Sequence, residues 1–544
     1  MSASRPSSFQ HRPPAWLASA VFYQIYPQSF CDSNGDGIGD LPGILSKLDY
    51  PQSLGVTALW LNPVFESPFG DAGYDISDFY KVAPRYGTNR DLARLFREAH
   101  RRGMKVCLDL VAGHTSTQHP WFQASARPES NPHTDWYVWT DSVWNDSEPK
   151  AIRGFSVRDG GYLPNFFYFQ PALNYGYAQP DPKQPWQLPV THPAVQAVRA
   201  ELKKIMKFWL DQGADGFRVD MASSLVRGDA DGCGLRALWH GYRSWLDSEY
   251  PEAVLIAEWC NPRQTIAAGF DIDFLIHFGE PAYNAYLGTW NRVLDGGKSH
   301  EPPVFFERAG KGDIRRFLDN YLHHYRAVQG RGYISMPTGN HDFPRHRRGR
   351  DRDERDLRVI LAALLTMPGV PFLYYGDEIG MRYLENLPAK EGSYKNRTGT
   401  RTPMQWTKGR NAGFSTAPAA KLYLPVDPAP DAPAVAEQEK DPASLLHLTR
   451  RLLALRRDYP ALGNTGGFRP VYAEKKKYPF VYERSQGRQK FWIALNPSAR
   501  PLRLTLPRKT SVETIEALGA SLTARPTRTQ LTMEPVSYGI FRVK

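Results

Sequence analysis

Short apolar runs, each followed by a stretch with helical spacing, recur along most of the chain. The runs are AVFYQIYPQSF (20–30), VTALWLNPV (56–64), MKVCLDLV (104–111), DGFRVD (215–220), AVLIAE (253–258), DIDFLIHF (271–278), YISMPT (333–338) and VPFLYY (370–375). Rich in β-branched and aromatic residues and poor in alternation, they fit parallel strands buried on both faces. Between them, segments such as DLARLFREAHRRG, AVQAVRAELKKIMKFWLDQG and DIRRFLDNYLHHYRAVQ space apolar residues three and four apart, the stripe of an amphipathic helix. Eight β–α units predict an α/β fold, a (β/α)8 TIM barrel. A doubly wound sheet is the competing arrangement, but no dinucleotide-binding glycine motif accompanies the strands.

Two stretches break the rhythm. The connection after the third run is far longer than an ordinary βα loop and rich in Pro, Asn, Trp, Tyr and Phe, which predicts a small inserted domain over the barrel mouth at 113–191. After a last helix near 443–457, the short runs FVYERS, KFWIALN and RLTLP predict a C-terminal antiparallel β-sandwich over 464–544. The barrel then occupies 1–112 and 192–463.

Composition narrows the function classes. The chain of 544 residues carries a formal charge of +12, which raises nucleic acid as a partner. The densest charged run, HRRGRDRDERDLR (346–358), alternates in sign and leads into a helix, and KKK (475–477) is isolated. Both read as solvated surface rather than a phosphate-tracking groove. No apolar run is long enough to span a membrane. The leader MSASRPSSFQHRPPAW lacks the apolar core of a secretion signal, and Cys31, Cys107, Cys233 and Cys260 have no metal or redox spacing. A cytoplasmic protein with free thiols is the expectation.

Catalytic groups of such a barrel sit at the C-terminal ends of its strands. Those ends carry His114, Arg218 with Asp220, Glu258, and His341 with Asp342. A single carboxylate there is ordinarily a solvated cap; three, converging with two histidines and an arginine, form a chemical kit. Arg218, two residues before Asp220, shares its strand face and can hold that carboxylate ionised. Glu258, between an apolar run and Trp259, is set to be desolvated and to keep its proton. Glycoside cleavage needs one carboxylate to attack C1 and one carboxyl to protonate the leaving oxygen.

With DLVAGH (109–114), GFRVD (216–220), the strand ending at Glu258 and NHD (340–342) in order, the sequence resembles the α-amylase superfamily, glycoside hydrolase family 13. GYDISDFY (73–80), RTPMQW (401–406) and FLYYGDEIGM are most similar to its oligo-1,6-glucosidase, α-glucosidase and trehalose-synthase branch. The resemblance implies Asp220 as nucleophile, Glu258 as acid/base and Asp342 as a grip on sugar hydroxyls, with His114, Arg218 and His341 lining the same subsite. It implies that Asp75 and Arg401 pair to close the non-reducing end, so that action is exo on a short saccharide; a surface ion pair is the plain alternative. Tyr74 is expected to stack on the sugar or simply to pack, and Arg345 to contact sugar or to be a surface arginine. Hydrolysis of short α-glucosides is the leading activity, with isomerisation of the trehalose-synthase kind as the alternative.

The loop DSNGDGIGD (32–40) offers oxygens at alternate positions: Asp32, Asn34, Asp36, the Ile38 carbonyl and Asp40. Hard divalent cations favour such a wrap. Related enzymes hold calcium or magnesium there, so a structural ion is expected, with no organic cofactor; a metal-free Asx turn is the alternative. The chain also departs from its relatives. Gly113 stands where they have a calcium-binding asparagine, so a second calcium is not expected. Ser223 and Ser224 replace a Lys-His pair of starch-degrading amylases, Ala172 stands where the glucosidase group commonly has Asp, and Met221 leaves linkage preference open.

Overall fold

The structure, a computed structural model, describes residues 11–276, 282–288, 303–348, 352–393, 397–506, 511–524 and 528–544. The first ten leader residues, 277–278 of the sixth apolar run and 349–351 of the mixed-charge run lie outside them.

One strand falls within each apolar run: β1 (Phe22–Ile25), β2 (Ala58–Leu61), β3 (Lys105–Leu110), β4 (Gly216–Val219), β5 (Val254–Ala257), β6 (Ile272–Phe274), β7 (Tyr333–Ser335) and β8 (Phe372–Tyr374). They form one parallel sheet in the order β8-β1-β2-β3-β4-β5-β6-β7. The ring closes just past β7, where the Thr338 amide donates to the Phe372 carbonyl at 2.9 Å. Nearly every strand side chain is buried, because helices cover the outside and side chains fill the inside. This is why the runs show no alternation. The register matters for chemistry: Asp109 of β3 lies opposite Arg218 of β4, which lies opposite Ile256 of β5.

The covering helices include α1 (Asn89–Arg101), α2 (Pro193–Asp211), α3 (Cys233–Glu249), α4 (Ile314–Val328), α5 (Glu354–Thr366) and α6 (Leu445–Asp458). In α1, Leu92, Leu95, Phe96 and Ala99 make the buried stripe, and Thr88 with Asp91 forms a capping box. The excursion between β3 and α2 holds a short helix (Pro120–Ser125) and isolated bridges instead of a sheet. Aromatic packing supplies its core: Phe122 meets Tyr137, Trp139 and Tyr162 at ring separations of 5.1, 5.6 and 5.0 Å.

Beyond α6 the chain forms β9 (Gly467–Tyr472), β10 (Phe480–Gln486), β11 (Gln489–Asn496), β12 (Leu502–Leu506), β13 (Val512–Ala524) and β14 (Thr529–Val543), all antiparallel. The long β14 pairs with β12 through its first half and β11 through its second, with β13 along its other edge. Two buried arginines sit at the junction of this unit and the barrel, Arg484 bridging the two and Arg456 tying α6 to the segment after α5 and to Asn464. Arg456 donates to the carbonyls of Leu365, Met367 and Gly369 at 2.7–2.8 Å. Arg484 donates to Thr366, Gly463, Gly466 and Gly467. Neither has a carboxylate partner among the described residues, so carbonyl dipoles alone offset their burial, which lowers Arg456 to about 9 and Arg484 to about 10. Arg484→Met abandons several buried acceptors at once, each costing about 1–3 kcal/mol. Calorimetry is expected to show a clearly lowered melting temperature with kcat of the folded enzyme retained; an unchanged melt overturns this role.

Candidate active site

Arg218 organises the floor of the barrel mouth. In register with Asp109, it donates through Nη1 to Asp109 Oδ1 at 2.9 Å and to Asp220 Oδ1 at 2.8 Å, while Nη2 meets Glu258 Oε2 at 2.9 Å. One buried guanidinium thus faces three buried carboxyl groups, which cannot all stay ionised without uncompensated charge. Burial pushes Glu258 up to about 8, with Arg218 opposing and Asp220 and Asp342 adding to the rise. Burial also raises Asp220 to about 6, against the pull of Arg218. At neutral pH Asp220 is mainly ionised and Glu258 mainly protonated. Both carboxyl groups are bound to the one Arg218 guanidinium and interact with each other, the close placement that a retaining pair needs.

Met221 carries a backbone strain that serves this pair. Its φ of 43° lies in the left-handed region, rare for a side-chain-bearing residue, and the turn aims its amide at Glu258 Oε2 over 3.1 Å.

The third carboxylate has the opposite environment. Burial works against the charge of Asp342, but Arg397 and Arg401 outweigh it and hold the carboxyl well below its usual range. Arg397 Nε and Arg401 Nη2 both lie 3.2 Å from Asp342 Oδ1. His341 is kept neutral by burial. Gln24 donates to its Nδ1 at 2.9 Å, which leaves Nε2–H to donate to Tyr74 Oη at 2.7 Å. Tyr74 passes its own proton to Asp109 Oδ2 at 2.9 Å and stacks on the His341 ring. His114, lowered to about 4 by burial, bonds the Tyr74 carbonyl and accepts from Asn165 Nδ2 at 3.0 Å. Asn165 occupies the space beside Gly113, where a Cβ would stand 2.5 Å from its amide nitrogen.

These groups line a cavity of about 250 Å³ with Asp71, Phe166, Met221, Ser223 and Arg397. Of the residues expected from sequence, Tyr74, His114, Asp220, Glu258, His341 and Asp342 reach its wall, and Arg218 and Arg401 stand behind it. Two expectations are corrected. Asp75 does not pair with Arg401: its oxygens accept from Ser67 Oγ and the amides of Gly70 and Asp71, stapling its own loop. Arg401 is committed to the His341 carbonyl and Asp342. Arg345 is neither a sugar contact nor a surface arginine; it is buried on Asp377 at 2.7 Å and the Tyr375 carbonyl.

Asp71 and Arg397, rather than Asp75 and Arg401, line the cavity. Burial raises Asp71 to about 6, against the pull of Arg397, the Gln170 hydrogen bond and Arg401. Its Oδ2 accepts from Gln170 at 2.8 Å, while Oδ1 is buried without a partner. Sequence reasoning also passed over Asp109, although a lone Asp between Leu108 and Leu110 of an apolar strand was a visible signal. For Asp71 the signal was Gly73, whose φ of 104° turns the backbone so that the carboxylate three residues before Tyr74 faces inward.

The loop 32–40 wraps as an Asx-rich turn. Asp32 accepts from the amides of Asn34, Gly35 and Gly37 and from Ser415 Oγ; Asp40 accepts from Ser33 and the Gly43 amide. Gly37 is required, since a Cβ there would stand 2.2 Å from the Lys421 carbonyl. Asn34 accepts from the Asp36 amide, and Asp36 accepts from the Ile38 amide and from Asn34 Nδ2. Among the described residues no group of three or more His, Cys, Asp or Glu is placed to hold a metal, and no helix is long and apolar enough to cross a membrane.

A closed parallel barrel with a protonated and an ionised carboxyl group side by side at its mouth defines a glycoside-cleaving enzyme. Residues 24–465 match the catalytic domain of α-amylase, and the chain belongs to that family, whose glycosidases act with retention. It is 34% identical over 500 residues to the trehalose synthase/amylase of Mycobacterium tuberculosis, covering 84% of this chain and 78% of that protein. It is 31% identical over 559 residues to the oligo-1,6-glucosidase of Parageobacillus thermoglucosidasius, covering 92% and 94%. The crystal structure of the trehalulose synthase of Pseudomonas mesoacidophila MX-45 superposes with a TM-score of 0.78 at 29% identity, covering 97% of this chain and 99% of that one.

The protonation pattern is measurable. In infrared difference spectra between the wild type and Glu258→Gln, a protonated carboxyl band is expected at pH 7 that disappears as pH rises through about 8. A band lost near pH 5 means that Glu258 is not held protonated by its burial.

Proposed function

We propose that this enzyme removes the terminal non-reducing glucosyl unit of short α-glucosides, with Asp220 as nucleophile and Glu258 as acid and then base. Asp220 attacks C1 while Glu258 gives its proton to the leaving oxygen; the bond from C1 to that oxygen breaks and a glucosyl ester forms on Asp220. Water, deprotonated by Glu258, then cleaves the ester. Asp342, ionised between two arginines, holds sugar hydroxyls.

The observation that carries the exo reading is Asp71 Oδ1, a buried, unpartnered oxygen on the cavity wall that also bears Arg397. A buried acceptor left bare is costly, and a sugar hydroxyl donated to it removes that cost. With Arg397 beside it, the cavity has a charged end that grips one glucosyl unit. The second reading, isomerisation, is favoured by Phe166 and Met221, which give the cavity an apolar wall against which a leaving sugar could be kept. Both readings share the glucosyl-enzyme and differ only in what attacks it.

A product screen on maltose, isomaltose, trehalose, sucrose and maltohexaose separates them. Glucose is expected first, with a rate that does not climb with chain length. Asp71→Ala is expected to lower kcat/KM ten- to a hundred-fold, the loss of a hydrogen bond to a charged group worth about 1.5–3 kcal/mol. Internal cleavage of maltohexaose sinks the exo reading, and an isomer of the substrate as main product replaces hydrolysis with isomerisation.

We propose also that the 32–40 loop takes a structural divalent cation. Asp32, Asp36 and Asp40 bring three carboxylates into nine residues with no Lys or Arg ion pair among the described residues, and a cation would offset that charge. Melting is expected to rise with added calcium and fall with a chelator, because the ion selects the native wrap. Equal melts leave the loop closed by its amides alone.

A further inference from the structure

A second cavity, of about 610 Å³, adjoins the catalytic one: Ser223 lines both. It opens on the side of Trp259, the residue directly after Glu258, and runs down between the start of α3, the short helix Pro262–Ala267 and α4. Glu258 protonates the leaving oxygen, so on the proposed reading this side receives the leaving group.

Its charge is unusual. Arg236, Arg263 and Arg331 line it with exposed side chains, and none has an ion pair with a carboxylate closer than 4 Å among the described residues. Arg263 Nη1 faces His323 Nε2 at 3.4 Å, and Arg236 Nη2 lies 3.1 Å from the Cys233 thiol. The two lining carboxylates are spent on backbone. Asp229 accepts from the amides of Gly234 and Leu235 at 2.9 and 2.7 Å, and Asp231 accepts from Cys233 at 2.9 Å. They cap the start of α3, where the helix dipole holds them. Asp231 offsets Arg236 in part; the neighbour of Arg263 is His323 rather than a carboxylate. An enzyme for neutral sugars has no need of a polar channel beside its acid whose arginines face water.

We propose that this channel is an anion subsite, and that the substrates are α-glucosides whose leaving group carries a phosphate or carboxylate. The proposal rests on the glucosidase reading for the direction in which the leaving group departs. Arginine forks bind either oxyanion through paired N–H donors. The net charge of +12 adds long-range attraction for such substrates, the steering that positively charged enzymes exert on anions.

Two measurements test it. The first compares kcat/KM for maltose, maltose phosphorylated on its reducing unit, and maltobionate. Either anionic substrate is expected to be favoured about ten-fold or more at low salt, with the preference collapsing near 1 M salt, where the Debye length is about 3 Å. The paired variant Arg236→Gln/Arg263→Gln is expected to bring that ratio to about one with an unchanged melting temperature. Phosphate over carboxylate, or the reverse, identifies the natural oxyanion. No preference in the wild type, or a preference that survives in the variant, overturns the subsite. The second measurement follows Trp259 fluorescence in Asp220→Asn as glucose 6-phosphate or glucose is added. Quenching by the phosphorylated sugar alone, lost in the variant arginines, supports the subsite without any turnover. If that binding holds while no α-glucoside is cleaved by the wild type, the glucosidase reading fails and the anion site stands. Maltose hydrolysis without such binding has the opposite meaning.

Discussion

One buried guanidinium set among three carboxyl groups is the constraint from which the rest of the site follows. Arg218 supplies one positive charge to Asp109, Asp220 and Glu258, so at least one proton must remain in the cluster near neutral pH. It settles on Glu258, the most strongly raised of the three, rather than on Asp109 or Asp220, each raised to about 6. Asp342 escapes because two arginines of its own, Arg397 and Arg401, touch one of its oxygens. Two ionised carboxylates and one protonated carboxyl therefore arise from unequal sharing of three arginines. Coulombic attraction at about 3 Å in a buried setting is large enough for such sharing to dominate the ordinary pKa differences between Asp and Glu.

The barrel makes that sharing possible. Parallel strands in register bring Asp109 beside Arg218, and the turn after β4 lifts Asp220 and then Met221 toward Glu258 at the end of β5. Tyr74 and His341 extend the same network to β1 through Gln24, so the tyrosine ring and the imidazole on the cavity wall are aimed by bonds that end on the barrel's own floor. Because Gln24, Asp109, Arg218 with Asp220, and Glu258 lie in or directly after strands of the barrel, their geometry is as rigid as the sheet, and little reorganisation is left for the reaction to drive.

Much of this was legible in the sequence. All eight barrel strands fell in the eight apolar runs, since residues buried on both faces leave a compositional mark that survives without alternation. The strand-end groups Asp220, Glu258, Asp342, His114 and His341 were legible for a related reason: a polar residue closing an apolar run has few structural excuses. The plug was not. Asp71 and Asp75 lie four residues apart in one loop, and Arg397 and Arg401 four apart in another. Which of each pair faces the cavity depends on backbone turns at Ala72 and Gly73, both at positive φ, and on whose oxygens the loop amides consume. Spacing carries no trace of that. Arg345 was ambiguous on the same ground, because its partner Asp377 comes from the loop after β8.

The cavity walls divide the remaining question of what attacks the glucosyl-enzyme. Phe166, with 44% of its surface exposed, and Met221 form an apolar wall, while Ser223 leads into the arginine-lined channel beside Trp259. A leaving sugar held on the apolar wall stays over C1 and can return through a different hydroxyl, which is isomerisation. A leaving group drawn into the channel moves away from C1 and opens the ester to water. Neutral leaving sugars have only the first attraction, whereas anionic ones have both, and the charged one acts over a longer range. On the proposed reading both outcomes share one glucosyl-enzyme, and a charged leaving group adds a pull toward the channel that favours water as the attacker.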